Sequence, residues 1–168
     1  MSQTQIDLPP MSPRPATEDD VEAMVSLEKK VQVLPWGPES FEGELDKPYS
    51  HTLLLTDDET DELVFGYVVF WVLGDECEIL NLAVDPTVSR RGLARGLVNR
   101  VVTHALQGEA TKVKLNVRVD NQPAIQFYQK CGFASTHRRA SFYSDGMDAY
   151  QMDLDLTDSE SIKAFRTF

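Results

Sequence analysis

The sequence predicts an α/β (α+β) fold, a mixed β-sheet carrying helices, and three observations predict it. Short apolar runs bounded by turn residues alternate with stretches whose apolar side chains repeat at helical spacing. One such run, Ile79, Leu80, Leu82, Ala83 and Val84, passes through Asp85-Pro86 and a basic glycine turn, Ser89 to Gly96, into a helix. A second strand, Lys112 to Val119, follows that helix, so the crossover makes it parallel to Ile79–Val84. The order β-α-α-β-β-β-α-β-α-β-β gives a mixed sheet of about seven strands flanked by about four helices.

Residues 1–13 hold three prolines and no periodicity, which predicts a flexible tail ahead of a single domain over 14–156. Thr17 and Asp20 form a capping box that opens a helix with Val21, Met24, Val25, Leu27 and Val31 on its buried side. Pro35-Trp36-Gly37-Pro38 ends it, and Pro38 suits the first turn of a short helix reaching Leu45. His51–Thr56 and Leu63–Leu73 read as strands joined by the polar turn Asp57–Asp61, and Gly74-Asp75 forms the next turn. After the glycine turn, Leu93, Leu97, Val98, Val101, Val102 and Leu106 fall on one helical face, with Gly108 at its end. Asn121 caps the next helix, Pro123 falls in its first turn, and Cys131-Gly132 stops it. Phe133–Tyr143 and Met147–Leu156 make a hairpin around Ser144-Asp145-Gly146, and 157–168 reads as a second tail.

At 168 residues the chain supports one core, and 42% apolar with 26% charged residues argues against wholesale disorder. The longest apolar run, Val64–Leu73, is too short to span a bilayer and is interrupted by Gly66. The first fifteen residues lack the basic start and apolar stretch of a secretion signal, so a cytoplasmic protein without membrane partners is expected. A net charge of −11 argues against general nucleic-acid binding and suits either solubility or attraction of a cationic acceptor. Cys77 and Cys131 have no metal or redox spacing, and His51, His104 and His137 are scattered, so no metal is expected. The sequence leaves the chain a monomer or weak dimer.

Positive charge concentrates at Arg90, Arg91, Arg95 and Arg100, in or just after the glycine turn. Unpaired N–H groups at a helix start, with the helix dipole behind them, are suited to a pyrophosphate. Gly92 lets the backbone approach such a ligand, and Ala94 is the next smallest choice. The pattern R-R-G-L-A-R-G is neither G-x-G-x-x-G nor a P-loop. It resembles the acetyl-CoA signature of the GNAT acetyltransferases, Q/R-x-x-G-x-G/A, with Gly92 and Ala94 in place and Ser89 departing at the first position.

The resemblance extends to the bacterial ribosomal-protein-alanine N-acetyltransferases, the RimI type, through Leu34-Pro35-Trp36 with Phe41, N81-L-A-V-D-P, Val117-Arg118 leading to Asn121, and Ala124-Ile125 with Phe127-Tyr128. Cys131-Gly132-Phe133 and Arg138-Arg139 leading to Phe142-Tyr143 complete it. It implies acetyl-CoA as co-substrate, with the strands bearing Leu82 and Asn116 diverging around its acyl arm. The resemblance places backbone at Leu82, Ala83 and Val84 on that arm, and Arg90, Arg91, Gly92, Leu93, Ala94, Arg95 and Asn121 on the rest of the cofactor. Trp36 and Tyr143 would border the acceptor groove, and Tyr128 would return a proton to the leaving thiolate. Each of these also reads as an ordinary core, cap or rim residue.

Acetyl transfer from a thioester needs a neutral amine, a polarised carbonyl and a proton for the thiolate. The resembled enzymes carry glutamate where this chain has Asn116, and an amide cannot take up a proton. Glu78 acting through a water chain, or a water held by Asn116, are the candidate replacements, with Glu28 before the Trp36 loop a second carboxylate to consider. About one in seven protein α-amines is neutral at pH 7, but fewer than ~1 in 1,000 lysines, so a lost base costs an α-amine about 1 kcal/mol and a lysine over ~4 kcal/mol. No Ser/His/Asp or Cys/His set suggests a covalent intermediate, so direct attack is expected. A protein N-terminal amine is the expected acceptor; a small-molecule amine, or cofactor binding without catalysis, are the alternatives.

Overall fold

The computed structural model describes residues 11–166. Its strands are β1 (Met11–Pro15), β2 (Ser50–Asp57), β3 (Val64–Leu73), β4 (Glu76–Val84), β5 (Lys112–Arg118), β6 (Ala134–Arg139) and β7 (Ala149–Asp155). The helices are α1 (Val21–Val31), α2 (Pro38–Leu45), α3 (Leu93–Gln107), α4 (Gln122–Lys130) and α5 (Ser159–Arg166). The strands form one sheet in the order β1-β2-β3-β4-β5-β7-β6, in which the β4–β5 pairing is parallel and the others antiparallel. The predicted mixed α/β sheet is therefore present, with one helix more than expected.

Both predicted tails need correction where they are described. Residues 11–13 belong to β1, which pairs with β2 from Met11 opposite Asp57 to Pro15 opposite Leu53. Pro13 and Pro15 obscure the strand in the sequence, yet proline is tolerated on an edge, where half of the N–H groups face away from the sheet. Arg14 ties this edge to α1 through two hydrogen bonds of 2.9 Å to the Asp20 carboxylate, whose other task is to accept from the Thr17 N–H of the capping box. At the other end, Asp158 caps α5 by accepting from the Glu160 N–H at 3.0 Å, and Ile162 and Phe165, three residues apart, are buried in the core. Residues 1–10 and 167–168 lie outside the described residues.

Two apolar clusters cover the two faces of the sheet. On one, Met24 and Leu27 of α1 and Phe41 of α2 meet Leu54, Tyr67, Val69 and Ala83. On the other, Val98, Val101, Val102 and Ala105 of α3 pack with Ile125 and Tyr128 of α4, Phe165, and the inward residues of β2 to β5 and β7. Each such fully buried aliphatic side chain contributes about 1.5–3 kcal/mol.

The predicted parallel pairing is present but covers less of β4 than Ile79–Val84, and the strands part before Leu82 and Asn116, as the resemblance implied. The pairing runs from Glu76 opposite Lys112 to Ile79 opposite Leu115, and does not continue along Leu80–Val84. On the other side of β4, Val69 faces Asn81 while Phe70 faces Ile79, which leaves Leu80 as a surplus residue. Such a bulge bends and twists its strand. Upstream of it Cys77 and Ile79 face the α3 cluster; downstream Ala83 faces the α1 cluster and Leu82 and Val84 pack on the α3 side.

His51 on β2 is stacked on Phe70 at 5.2 Å and lies 5.6 Å from the His104 ring of α3. Burial, and then the neighbouring His104, hold the His51 imidazole below its usual value. The unfolded chain therefore takes up this proton more readily, so the stability involved is complete above about pH 6.5 and is lost as pH falls towards the folded-state value. His51→Phe is expected to flatten this acid slope in urea titrations; an unchanged slope would place its origin elsewhere.

Candidate active site

Where β4 and β5 part, a cleft of about 360 Å³ opens through the sheet. From β4 it is lined by Ile79 to Leu82, from β5 by Leu115 to Arg118, and from α4 by Asn121, Ala124 and Tyr128. Glu28, Gln32 and Val33-Leu34 with Trp36 border it beside α1, and Phe142, Tyr143 and Ser144 border it before β7.

The cleft joins both faces of the sheet. Val113, Leu115 and Val117 of β5 face the α3 cluster, so by strand alternation Asn116 and Arg118 face the other way. Tyr128 enters from the α3 side, where its ring meets Phe127 at 5.0 Å and Phe133 at 5.5 Å. Burial raises its phenol well above the usual tyrosine range, with smaller effects from Cys131 and Tyr143 in the same direction. Tyr143 is half-buried, and its hydroxyl lies 3.5 Å from the Asn116 carbonyl. Trp36 packs on Phe41 at 5.3 Å and donates its backbone N–H to Glu28 Oε1 at 3.1 Å.

Glu28 is 1% exposed and is the carboxylate, among the described residues, that lines the cleft. Its Oε1 also accepts from Asn81 Nδ2 at 2.9 Å, and its Oε2 accepts from the Tyr67 hydroxyl. Gln32 completes the network, donating to Asn81 Oδ1 at 3.1 Å and to the Leu82 carbonyl at 3.3 Å. Glu78, considered as a base from the sequence, lies elsewhere: it is not among the cleft-lining residues, and its carboxylate sits 3.8 Å from Lys114 Nζ. Upstream of the bulge, Glu78 is paired in the closed part of the sheet.

Among the described residues, three buried side-chain polar atoms have no hydrogen-bond partner: Asn99 Oδ1, Asn116 Oδ1 and Arg118 Nη1. The last two belong to residues that line this cleft. Arg118 is otherwise fixed, donating from Nη2 to Asp145 at 2.8 Å and from Nε to Asp120 at 3.2 Å, with its guanidinium 5.1 Å from the Tyr143 ring centre. The sequence marked Val117-Arg118 and N81-L-A-V-D-P without assigning a task to Arg118, Asn81 or Gln32. A polar Asn81 inside an apolar strand was the available signal, since such a group is buried only with partners.

The glycine turn lies at the start of α3. Gly92 has φ of +78°, and a Cβ there would meet no protein atom within 4 Å. Arg90 also has a left-handed φ, 63°. The first intrahelical bond is Gly96 N–H to the Gly92 carbonyl at 2.9 Å, so the N–H groups of Leu93, Ala94 and Arg95 precede it. The turn therefore offers open space and helix-start donors that fit a pyrophosphate, with Arg90 and Arg91 exposed beside it.

Two expected cofactor residues are placed differently. Arg95 turns towards α4 and α5, with Nη1 3.4 Å from the Lys130 carbonyl and its guanidinium 5.6 Å from the Phe165 ring centre. Ala83 directs its backbone into the sheet: Asp85 N–H bonds to the Phe65 carbonyl of the β3 side, while Leu82 presents its carbonyl to Gln32. Alternate residues of an antiparallel ladder turn to the same side, so Leu82 and Val84 offer their backbone to the cleft and Ala83 does not. Asn121 caps α4, accepting from the Ala124 N–H at 3.2 Å, and also lines the cleft. Among the described residues no three His, Cys, Asp or Glu side chains are grouped to hold a metal, and no helix is long and apolar enough to cross a membrane. Burial pushes the Cys77 thiol up to about 12, which excludes it as a ready thiolate.

Comparison with known proteins bears on this cleft. Residues 21–133 match the model of the Acetyltransferase (GNAT) family. A putative [ribosomal protein bS18]-alanine N-acetyltransferase of Bacillus subtilis is 32% identical over 136 residues, spanning 80% of this chain and 88% of that one. The N-alpha-acetyltransferase RimI of Mycobacterium tuberculosis is 31% identical over 159 residues, 90% of this chain and 97% of that one. The crystal structure of the ribosomal-protein-S18-alanine N-acetyltransferase from Escherichia coli superposes with a TM-score of 0.77 at 26% identity, covering 87% of this chain and 94% of that one.

Proposed function

The chain belongs to the GNAT acetyltransferase family and is an acetyl-CoA-dependent N-acetyltransferase, and from that premise we propose that its acceptor is the N-terminal α-amine of a protein, of the ribosomal-protein-alanine kind. The observation that carries this reading is the opening through the sheet, reached from one face by Tyr128 and from the other by Asn116, Arg118 and Trp36. Donor and acceptor enter from opposite faces and meet between β4 and β5, the arrangement that direct attack requires.

Acetyl-CoA supplies an acyl group activated as a thioester. The Gly92 turn and the start of α3 hold its pyrophosphate, with Arg90 and Arg91 beside them, and the cleft-facing backbone of Leu82 and Val84 lies along its arm. Tyr128, kept protonated by burial, gives its proton to the departing thiolate. Trp36 and Tyr143 flank the acceptor side.

Glu28 is held by hydrogen bonds from Trp36, Asn81 and Tyr67 and serves to fix the α1–α2 loop against the bulged strand. Asn116 presents an acceptor oxygen but no basic group. The amine therefore enters in its neutral form, and the α-amine is favoured over lysine by the roughly 2.5-unit difference in their ordinary pKa values, about 300-fold at neutral pH.

Thiol release from acetyl-CoA, followed from about pH 6 to 9 with a short alanine-starting peptide and with spermidine in parallel, tests this. Peptide-dependent release should rise with pH and level off near the peptide's own α-amine pKa, about 8. Turnover of spermidine alone would replace the protein acceptor with a small amine, and a plateau well below the peptide's pKa would reveal a base in the enzyme.

A further inference from the structure

The two unpartnered atoms of the cleft carry opposite hydrogen-bonding character, and both belong to β5. Asn116 Oδ1 is an acceptor and Arg118 Nη1 is a donor, and both atoms are buried. Two residues apart on one strand, the side chains project from the same face, from Cα positions about 6.6 Å apart. An unsatisfied buried polar atom is costly, and native structures satisfy nearly all of them. Arg118 is also immobilised: its side chain is 12% exposed, Asp145 and Asp120 take its other nitrogens, and Tyr143 lies against its guanidinium. That leaves Nη1 fixed in one place with nothing to donate to.

We propose that Asn116 and Arg118 form a clamp for the first residue of a peptide acceptor, Asn116 Oδ1 accepting from its α-amine and Arg118 Nη1 donating to its carbonyl oxygen. This rests on the N-terminal acceptor proposed above and supplies its selectivity. An amine and the carbonyl of the same residue are a donor and an acceptor held by one Cα, the complement of what β5 displays. A polyamine carries donors only, so it satisfies Asn116 and leaves Arg118 unpaired. Asp120 and Asp145 act as positioning residues, since they aim the guanidinium without reaching the acceptor.

The test compares an alanine-starting peptide with its analogue in which the first amide is an (E)-alkene, which keeps the amine and deletes the carbonyl. Arg118→Met should lower kcat/KM for the peptide ~10–100-fold, mainly through KM, and leave the alkene analogue nearly unchanged, as expected for a charge-assisted hydrogen bond. Asn116→Ala should lower both by similar factors, because both carry the amine. Each variant is compared with wild type on each substrate, so the analogue's own amine pKa cancels. If Arg118→Met does not fold, Arg118→Lys takes its place, since an ammonium held by Asp145 lacks the fork needed to reach a third acceptor. Equal losses on both substrates in the Arg118 variant, or no loss on either in both variants, would overturn the clamp while leaving the N-terminal acceptor in place. Turnover of spermidine with neither peptide nor analogue would overturn both.

Discussion

Gly92→Glu is expected to abolish acetyl-CoA binding while the chain still folds. At φ of +78° any side chain costs about 1–2 kcal/mol, because Cβ crowds the following carbonyl. That cost falls on the fold alone, and no protein atom within 4 Å adds to it. The carboxylate, however, would enter the space assigned to the pyrophosphate. Two like charges about 4 Å apart at a partly exposed site repel by roughly 4 kcal/mol, a loss of about a thousandfold in affinity. Gly92→Ala separates the two contributions, since it carries the backbone cost without the charge. Calorimetry with acetyl-CoA should show no measurable binding for the glutamate variant and weakened binding for alanine. Unchanged affinity in Gly92→Glu would remove the pyrophosphate from this turn.

Tyr128→Phe is expected to lower kcat by ~10²–10⁴-fold, the range for losing a positioned general acid, with little change in affinity for either substrate. The ring would keep its contacts with Phe127 and Phe133, so the variant deletes one oxygen at the cleft and little else. Because burial holds the phenol far above its ordinary range, the wild-type rate should show no alkaline fall from tyrosine ionisation within working pH. An unaffected kcat would mean that the thiolate leaves without help from Tyr128.

Much of the fold was legible because the core strands and helices announce themselves by period. Leu97, Val98, Val101 and Val102 mark α3, and the predicted Thr17–Asp20 and Asn121 caps sit at the starts of their helices. The expected order places a strand ahead of α1, but its residues were hidden, because an edge strand needs few apolar residues and tolerates Pro13 and Pro15. α5 was hidden because Ile162 and Phe165 are too few to establish a period. In the site, the turn at Gly92 and the residues Tyr128, Asn116, Trp36 and Tyr143 were identified by motif. Glu78 was considered because it lies on the strand beside the site, and Ala83 because the resemblance names it; the sequence does not show that the cleft begins at Ile79, or that Leu82 rather than Ala83 turns its carbonyl to the cleft side. The link from Arg118 to Asp145 spans 27 positions, and nothing local foretells it.

That surplus residue stores the opening in the backbone rather than in any side chain. Exchanging Trp36, Phe142 or Tyr143 would reshape the walls for a different acceptor and leave the gap between the strands where it is. Removing Leu80 would do the reverse: Ile79 and Asn81 would become consecutive residues opposite Phe70 and Val69, Asn81 would keep its face and its bonds to Gln32 and Glu28, and the bend that turns β4 away from β5 would be gone. The chain thus keeps its aperture and its selectivity on separate dials, so that acceptor preference can drift by point substitution while the passage itself is lost only by a change in length.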